Sequence, residues 1–153
     1  MNNSDLIALR LGYLNITQEI ISRLASSAAV VKGAGVTVLA AMLAYASSDK
    51  AANFQWWLFL PPGLIFMTFH AYFLQRERAF RKLYNQAAAK PLTEVVSMVI
   101  DTASIQAVKE DFCEVLCKKS VFQFHVPLNI FVILAFLSTR NDWVNRVSLL
   151  LGS

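Results

Sequence analysis

Phe69-His70-Ala71-Tyr72-Phe73-Leu74-Gln75-Arg76-Glu77-Arg78-Ala79-Phe80-Arg81-Lys82-Leu83-Tyr84-Asn85-Gln86 passes from an aromatic, nearly uncharged run into RERAFRK, five charges in seven positions. Phe80, Leu83 and Tyr84 carry an apolar stripe through the charged half, so one helix is predicted across the change of character. Soluble domains spread their apolar residues periodically, whereas membrane proteins concentrate them. The switch therefore reads as a helix leaving a bilayer. Its apolar run ends where the hydrocarbon ends, Arg76, Arg78, Arg81 and Lys82 mark the exit, and the helix continues into water.

Upstream of the exit, residues 54–74 hold no formal charge. Trp56 and Trp57 stand at the start, where an aromatic belt would lie. Pro61-Pro62-Gly63 is expected to kink this span or to begin a tighter second half. Before it, residues 28–48 carry one charge, Lys32, and would extend about 31 Å as a helix, close to a hydrocarbon core of about 30 Å. Ala25, Ala29 and Gly33 form one small-residue track, and Ala40, Ala44 and Ser48 another, which predicts close packing against protein. Residues 120–139 form a third uncharged run, interrupted by Gln123, His125, Pro127 and Asn129. The whole chain of 153 residues is 56% hydrophobic and 16% charged, against about 25% charged in a typical soluble domain.

Outside these runs the character differs. Leu6, Leu9, Tyr13, Ile16 and Ile20 fall on one helical face behind a plausible N-cap, Ser4, so residues 4–27 read as an amphipathic helix. It either covers its neighbours or serves as an interfacial or oligomerising helix. Residues 75–119 read as a water-exposed helical segment. One short helix is expected after Pro91 through Val95, Val96, Val99, Ile100 and Ala103, and another through Val108, Phe112, Val115 and Leu116. Residues 140–153, with Trp143, form a tail too short to cross again. Ala44-Tyr45-Ala46 has the form of a cleavage site but lies beyond the roughly 15–30 residues of a signal peptide, so the run before it is read as retained. The expected fold is an all-α membrane protein: an amphipathic N-terminal helix, three transmembrane helices and a small cytoplasmic helical layer, in a single membrane domain.

Lys and Arg set the orientation. With the N-terminus cytoplasmic, eleven of the fourteen lie inside and three outside, Lys50, Arg140 and Arg146. Trp56, Trp57 and Trp143 then share the outer interface. The expected setting is a lipid bilayer with the N-terminus cytoplasmic, and with the third segment either crossing or re-entrant.

No enzyme constellation is present. There is no Gly-rich phosphate loop, HExxH or GxSxG elbow, and neither a catalytic residue nor a cofactor is expected. Glu94 and Asp101, seven apart, read as a solvated face. Cys113 and Cys117, four apart, read as two neighbouring thiols and not as a metal site, which would want further ligands. Ionisable groups within lipid are expensive and normally face protein or a water-filled path. Lys32, near the inner end, snorkels or lines such a path. His70 is a pH-sensitive group or a hydrogen-bonded packing residue. Thr37, Gln123, His125 and Asn129 complete the pore candidates, with Gln123 and His125 on different faces of their helix. One copy of three helices encloses little, so a channel requires an assembly of copies, taken as a tetramer. The net charge of +4 suits nucleic acid or anionic lipid as a partner. Arg76, Arg78, Arg81 and Lys82 either anchor to anionic lipid or, with Phe80 and Tyr84 for stacking, bind an anionic ligand such as a nucleotide or oligonucleotide.

Three stretches carry a family resemblance over most of the chain. Ile21-Ser22-Arg23-Leu24-Ala25-Ser26-Ser27 leading into Lys32-Gly33 resembles small bacterial membrane proteins with the pattern xISRMAxNSxxxKGWxxTxxAAL. FLQRERAFRKLYNQ resembles their WQERxFRxLY exit, and residues 120–137 their last membrane segment. Ala34 stands where the pattern has Trp, which puts the inner-interface packing in doubt. The resemblance is to membrane effectors of antiphage defence, the Hailong-type channel effectors. It implies a homo-oligomeric ion channel that short single-stranded DNA, made by a partner nucleotidyltransferase, holds shut. It also turns the basic exit, Arg76, Arg78, Arg81, Lys82 and Tyr84, toward ligand binding. The alternative reading is a non-conducting membrane anchor or scaffold that recruits a soluble partner through residues 76–119.

Overall fold

The computed structural model describes residues 3–51, 53–91 and 100–140. Almost all of them lie in five helices: α1 (Asn3–Ala46), α2 (Leu60–Ala89), α3 (Thr102–Val108), α4 (Phe112–Leu116) and α5 (Lys119–Arg140), with short 3-10 turns at Asp49–Ala51 and Trp56–Phe59. Three segments, Asn3–Ala46, Trp56–Ala89 and Lys119–Thr139, are long and apolar enough to cross a membrane.

The amphipathic segment 4–27 and the first apolar run 28–48 are not two helices but one, unbroken over 44 residues. No proline interrupts it, and Thr17, Ser27 and Thr37 return their hydroxyls to the helix itself. Thr17 donates to the Tyr13 carbonyl at 2.8 Å, Ser27 to Arg23 at 2.9 Å and Thr37 to Gly33 at 3.0 Å. A side chain bonded four residues back leaves the backbone ladder in place. Pro61 and Pro62 likewise do not kink a span. They fall in the first turn of α2, where backbone amides have no helical acceptor to lose.

The buried face of the N-terminal half is rotated from the expected one. Arg10, Tyr13, Thr17 and Ile21 are buried, while Ile16 is 47% exposed. The partner decides this. α2 runs antiparallel to α1 and brings its far end here, packing Ala87 near Tyr13, and Phe80 and Leu83 on Ile21. Arg10 donates to the carbonyls of Lys90 at 2.7 Å and Pro91 at 2.6 Å. A buried guanidinium thus closes the carbonyl end of α2, where the helix dipole favours a cation.

At the other end Leu39, Ala46, Phe59, Val132 and Phe136 form a core, sealed by Phe54 with its ring centroid 5.2 Å from Phe59 and 5.6 Å from Phe136. α5 therefore runs beside α1 and antiparallel to α2. Gly35 lets α1 and α2 close up, since a Cβ there would meet Phe66 at 3.1 Å. The outer faces stay apolar: Val30 on α1, Leu64 on α2 and Phe131 on α5 are each more than 60% exposed. α3 lies against the charged half of α2, with Ile105 and Val108 on the Ile21–Phe80–Leu83 cluster, and α4 lies against the middle of α2, with Val115 buried against Ala71 and against Val121 of α5. The helix expected through Val95, Val96 and Val99 lies outside the described residues, as do residues 141–153 of the tail.

Candidate functional site

Two groups of polar side chains stand out, one inside the apolar bundle and one on the charged half of α2. The first gathers four of the six pore candidates. His70 of α2 and His125 of α5 are buried, and Nδ1 of the first lies 3.2 Å from Nε2 of the second. A bond between two ring nitrogens needs one donor and one bare acceptor, so at least one imidazole is neutral while it holds. Lys32 of α1 places its ammonium 5.6 Å from the ring centroid of Phe124, which neighbours His125. Asn129 lies one turn beyond His125 and donates from Nδ2 to its carbonyl at 2.8 Å. Its Oδ1 is buried with no hydrogen-bond partner among the described residues, and a Cβ at Gly63 would collide with the same carboxamide. A cavity of about 240 Å³ opens beside it, lined by Gly63, Met67, His125 and Asn129 among others.

The other two candidates stay apart. Thr37 is exposed on α1, with its hydroxyl spent on Gly33. Gln123 is exposed on α5, off the face that carries His125. No Asp or Glu occurs in 28–48, 54–74 or 120–139. The buried group is therefore built of one ammonium, two imidazoles and one amide, with no carboxylate in its own segments.

On the charged half of α2 the basic residues are mostly held by the chain's own acids. Glu110, in the link between α3 and α4, accepts from three cations: Lys118 at 2.9 Å, Lys82 at 3.1 Å and Arg78 at 3.3 Å. Lys118, then Lys82, with a smaller contribution from Arg78, hold its carboxyl down to about 2, from an ordinary 4.5. The same contact, helped by Glu114 at 3.2 Å, raises the ammonium of Lys118. Gln75 fixes the backbone of the hub by donating to the Glu110 carbonyl at 2.7 Å. Arg81 pairs with Glu77 one turn earlier at 2.8 Å. Tyr84 is half-buried against the Ile21–Phe80–Leu83 cluster.

Arg76 differs from its neighbours. Its guanidinium stacks on Tyr72, 4.8 Å from the ring centroid, and its Nε is buried with no hydrogen-bond partner among the described residues. Sequence reasoning found the cations of α2 but missed Glu110 and Lys118, the pair that organises them. Glu110 lies 28 residues from Lys82 and 32 from Arg78, so no local spacing announces it. Gly63 enters the sequence reading only as part of the Pro61-Pro62-Gly63 kink, although it is the seat of Asn129. Cys113 and Cys117 are both free and exposed thiols.

No family model, curated protein or solved structure matches this chain.

Proposed function

We propose that the protein is a homo-oligomeric ion channel of the bacterial inner membrane. It acts as an antiphage defence effector, gated from the cytoplasm by an anionic ligand, a nucleotide or a short single-stranded DNA from a partner nucleotidyltransferase. In this reading α1, α2 and α5 cross the bilayer with the N-terminus inside, and α3 and α4 form the cytoplasmic layer. The exposed apolar residues of the three helices face acyl chains, and Trp56 and Trp57, both exposed, sit at the outer interface.

The observation that carries the reading is the convergence of Lys32, His70, His125 and Asn129 within three otherwise apolar helices. Polar and ionisable groups are costly at that depth, and proteins keep them there chiefly along ion and proton paths. A single protomer encloses this group too tightly to conduct, so the pore belongs to the assembly. Ala29, Gly33, Ala40 and Ala44, exposed along α1, would let the helices of neighbouring copies approach closely. The family resemblance supports the gated-effector role.

The pairing of Arg78, Arg81 and Lys82 within the chain favours a second reading, a non-conducting anchor whose self-contained outer layer recruits a soluble partner. Planar-bilayer recording of the purified protein separates the two. Discrete openings suppressed by short single-stranded DNA are expected. Silence in every condition, from protein shown to be folded and inserted, would replace the channel with the anchor.

A further inference from the structure

Between α2 and α3 lies a cleft of about 210 Å³ lined by Arg76, Ala79, Thr102, Ile105, Gln106 and Lys109. Two cations and two neutral hydrogen-bonding side chains border it, and no acid does. Among the described residues, the carboxylates nearest in sequence are engaged elsewhere, Asp111 by accepting from the Glu114 amide at 3.2 Å. Glu77 holds Arg81, Glu110 holds three cations, and Asp101 accepts from the Ser104 amide at 2.7 Å; the Ser104 side chain, then that amide, lowers the Asp101 pKa. Arg76 and Lys109 have no acidic partner among the described residues. The Arg76 guanidinium lies over Tyr72, 4.8 Å from the ring centroid, and its Nε is buried with no hydrogen-bond partner among the described residues.

We infer that this cleft is a binding site for a phosphate-ester oxyanion, with Arg76 and Lys109 supplying the charge and Thr102 and Gln106 supplying neutral hydrogen bonds. A guanidinium and an ammonium left without a counter-ion favour an external one, and charge-assisted bonds to phosphate are among the strongest a protein makes. The volume falls below the roughly 300 Å³ at which pockets begin to enclose whole drug-sized ligands, so the cleft takes one phosphate group and leaves the rest of the molecule outside. Its position also fits. Arg76 stands two residues beyond the end of the apolar run at Leu74, level with the headgroups if α2 crosses a bilayer. The phosphate therefore comes from an anionic lipid or from a soluble phosphate ester. The inference rests on the proposed function only in taking the gating ligand to be an anion.

The test is binding, measured without any current. The full chain is placed in phosphatidylcholine nanodiscs and titrated with inorganic phosphate and with adenosine monophosphate by calorimetry. In parallel, native mass spectrometry counts phosphatidylglycerol retained from mixed-lipid nanodiscs. Saturable binding in the first arm identifies a soluble ester, and selective retention in the second identifies a lipid headgroup; either supports the site. Arg76→Gln with Lys109→Gln is expected to weaken that binding by about tenfold or more, while Lys119→Gln, at an exposed lysine outside the cleft, leaves it unchanged. Lys109 is exposed, so Lys109→Gln alone provides a variant that folds. No binding in either arm, or binding indifferent to Lys109→Gln and the double variant, overturns the site. Conductance without this binding would leave the channel and remove the cleft. Binding without conductance would do the reverse.

Discussion

Replacing Glu110 by Gln removes one negative charge and little volume, and it leaves Arg78, Lys82 and Lys118 converging on a neutral amide. The wild-type carboxylate is 17% exposed, and its partners range from 29% to 46%. Its fall from 4.5 to about 2 would correspond to roughly 3 kcal/mol if unscreened. Water reaches Lys82 and Arg78, so about 1–2 kcal/mol is the better figure. The loss falls on the docking of the α3–α4 link against α2, because that is what the hub joins. Amide hydrogen exchange at pH 7 reads it directly. Peptides covering residues 102–116 should exchange about 5- to 30-fold faster in Glu110→Gln, while peptides from 28–46 and 121–136 keep their rates. The pH dependence has a definite sign. A carboxyl with a depressed folded-state pKa stabilises fully above about pH 4.5 and loses its contribution as the pH falls toward about 2. Wild-type protection over residues 102–116 should therefore fall across that window, and the variant's should show less of the fall. Unchanged exchange in the variant at pH 7 would mean that the three cations are adequately solvated without Glu110 and that the hub holds nothing.

Gly63→Ala drives a Cβ into the Asn129 carboxamide and should cost about 1–3 kcal/mol in a detergent melt, with Asn129→Ala alongside restoring most of it. Failure of the rescue would show that the two helices do not meet there. His70→Leu leaves a buried His125 nitrogen unpaired and should destabilise by about 1–3 kcal/mol, whereas His70→Leu with His125→Leu should cost clearly less than the sum of the single variants. Strict additivity of the two would break the proposed bond. Cys113 and Cys117, the only cysteines and both exposed, should react with a membrane-impermeant maleimide in inverted vesicles and be protected in intact spheroplasts. The opposite pattern would invert the topology.

The three apolar runs were legible in the sequence because the absence of charge over twenty residues is a property of the segment alone. The long helices cover those runs: 28–48 lies almost wholly in α1, 54–74 in the turn Trp56–Phe59 and the first half of α2, and 120–139 in α5. What was hidden depends on a partner. Which face of α1 turns inward could not be read from Leu6, Leu9 and Ile16, because the end of α2 brings bare carbonyls as well as apolar surface. Those carbonyls bury Arg10, a residue every local pattern assigns to water.

The polar groups show the same dependence more sharply. His70 and His125 are 55 residues apart, and each alone reads as an isolated packing histidine; only the antiparallel course of α2 and α5 makes them a pair. The basic exit was visible as composition but not as electrostatics. Its charge reads as a free cluster until Glu110, in the α3–α4 link, takes up Arg78 and Lys82. Five charges in seven positions suggest a broad anion-binding strip. Once the internal pairs are counted, that strip narrows to Arg76, and the second cation it needs is Lys109, from a segment the sequence marked only as a water-exposed layer.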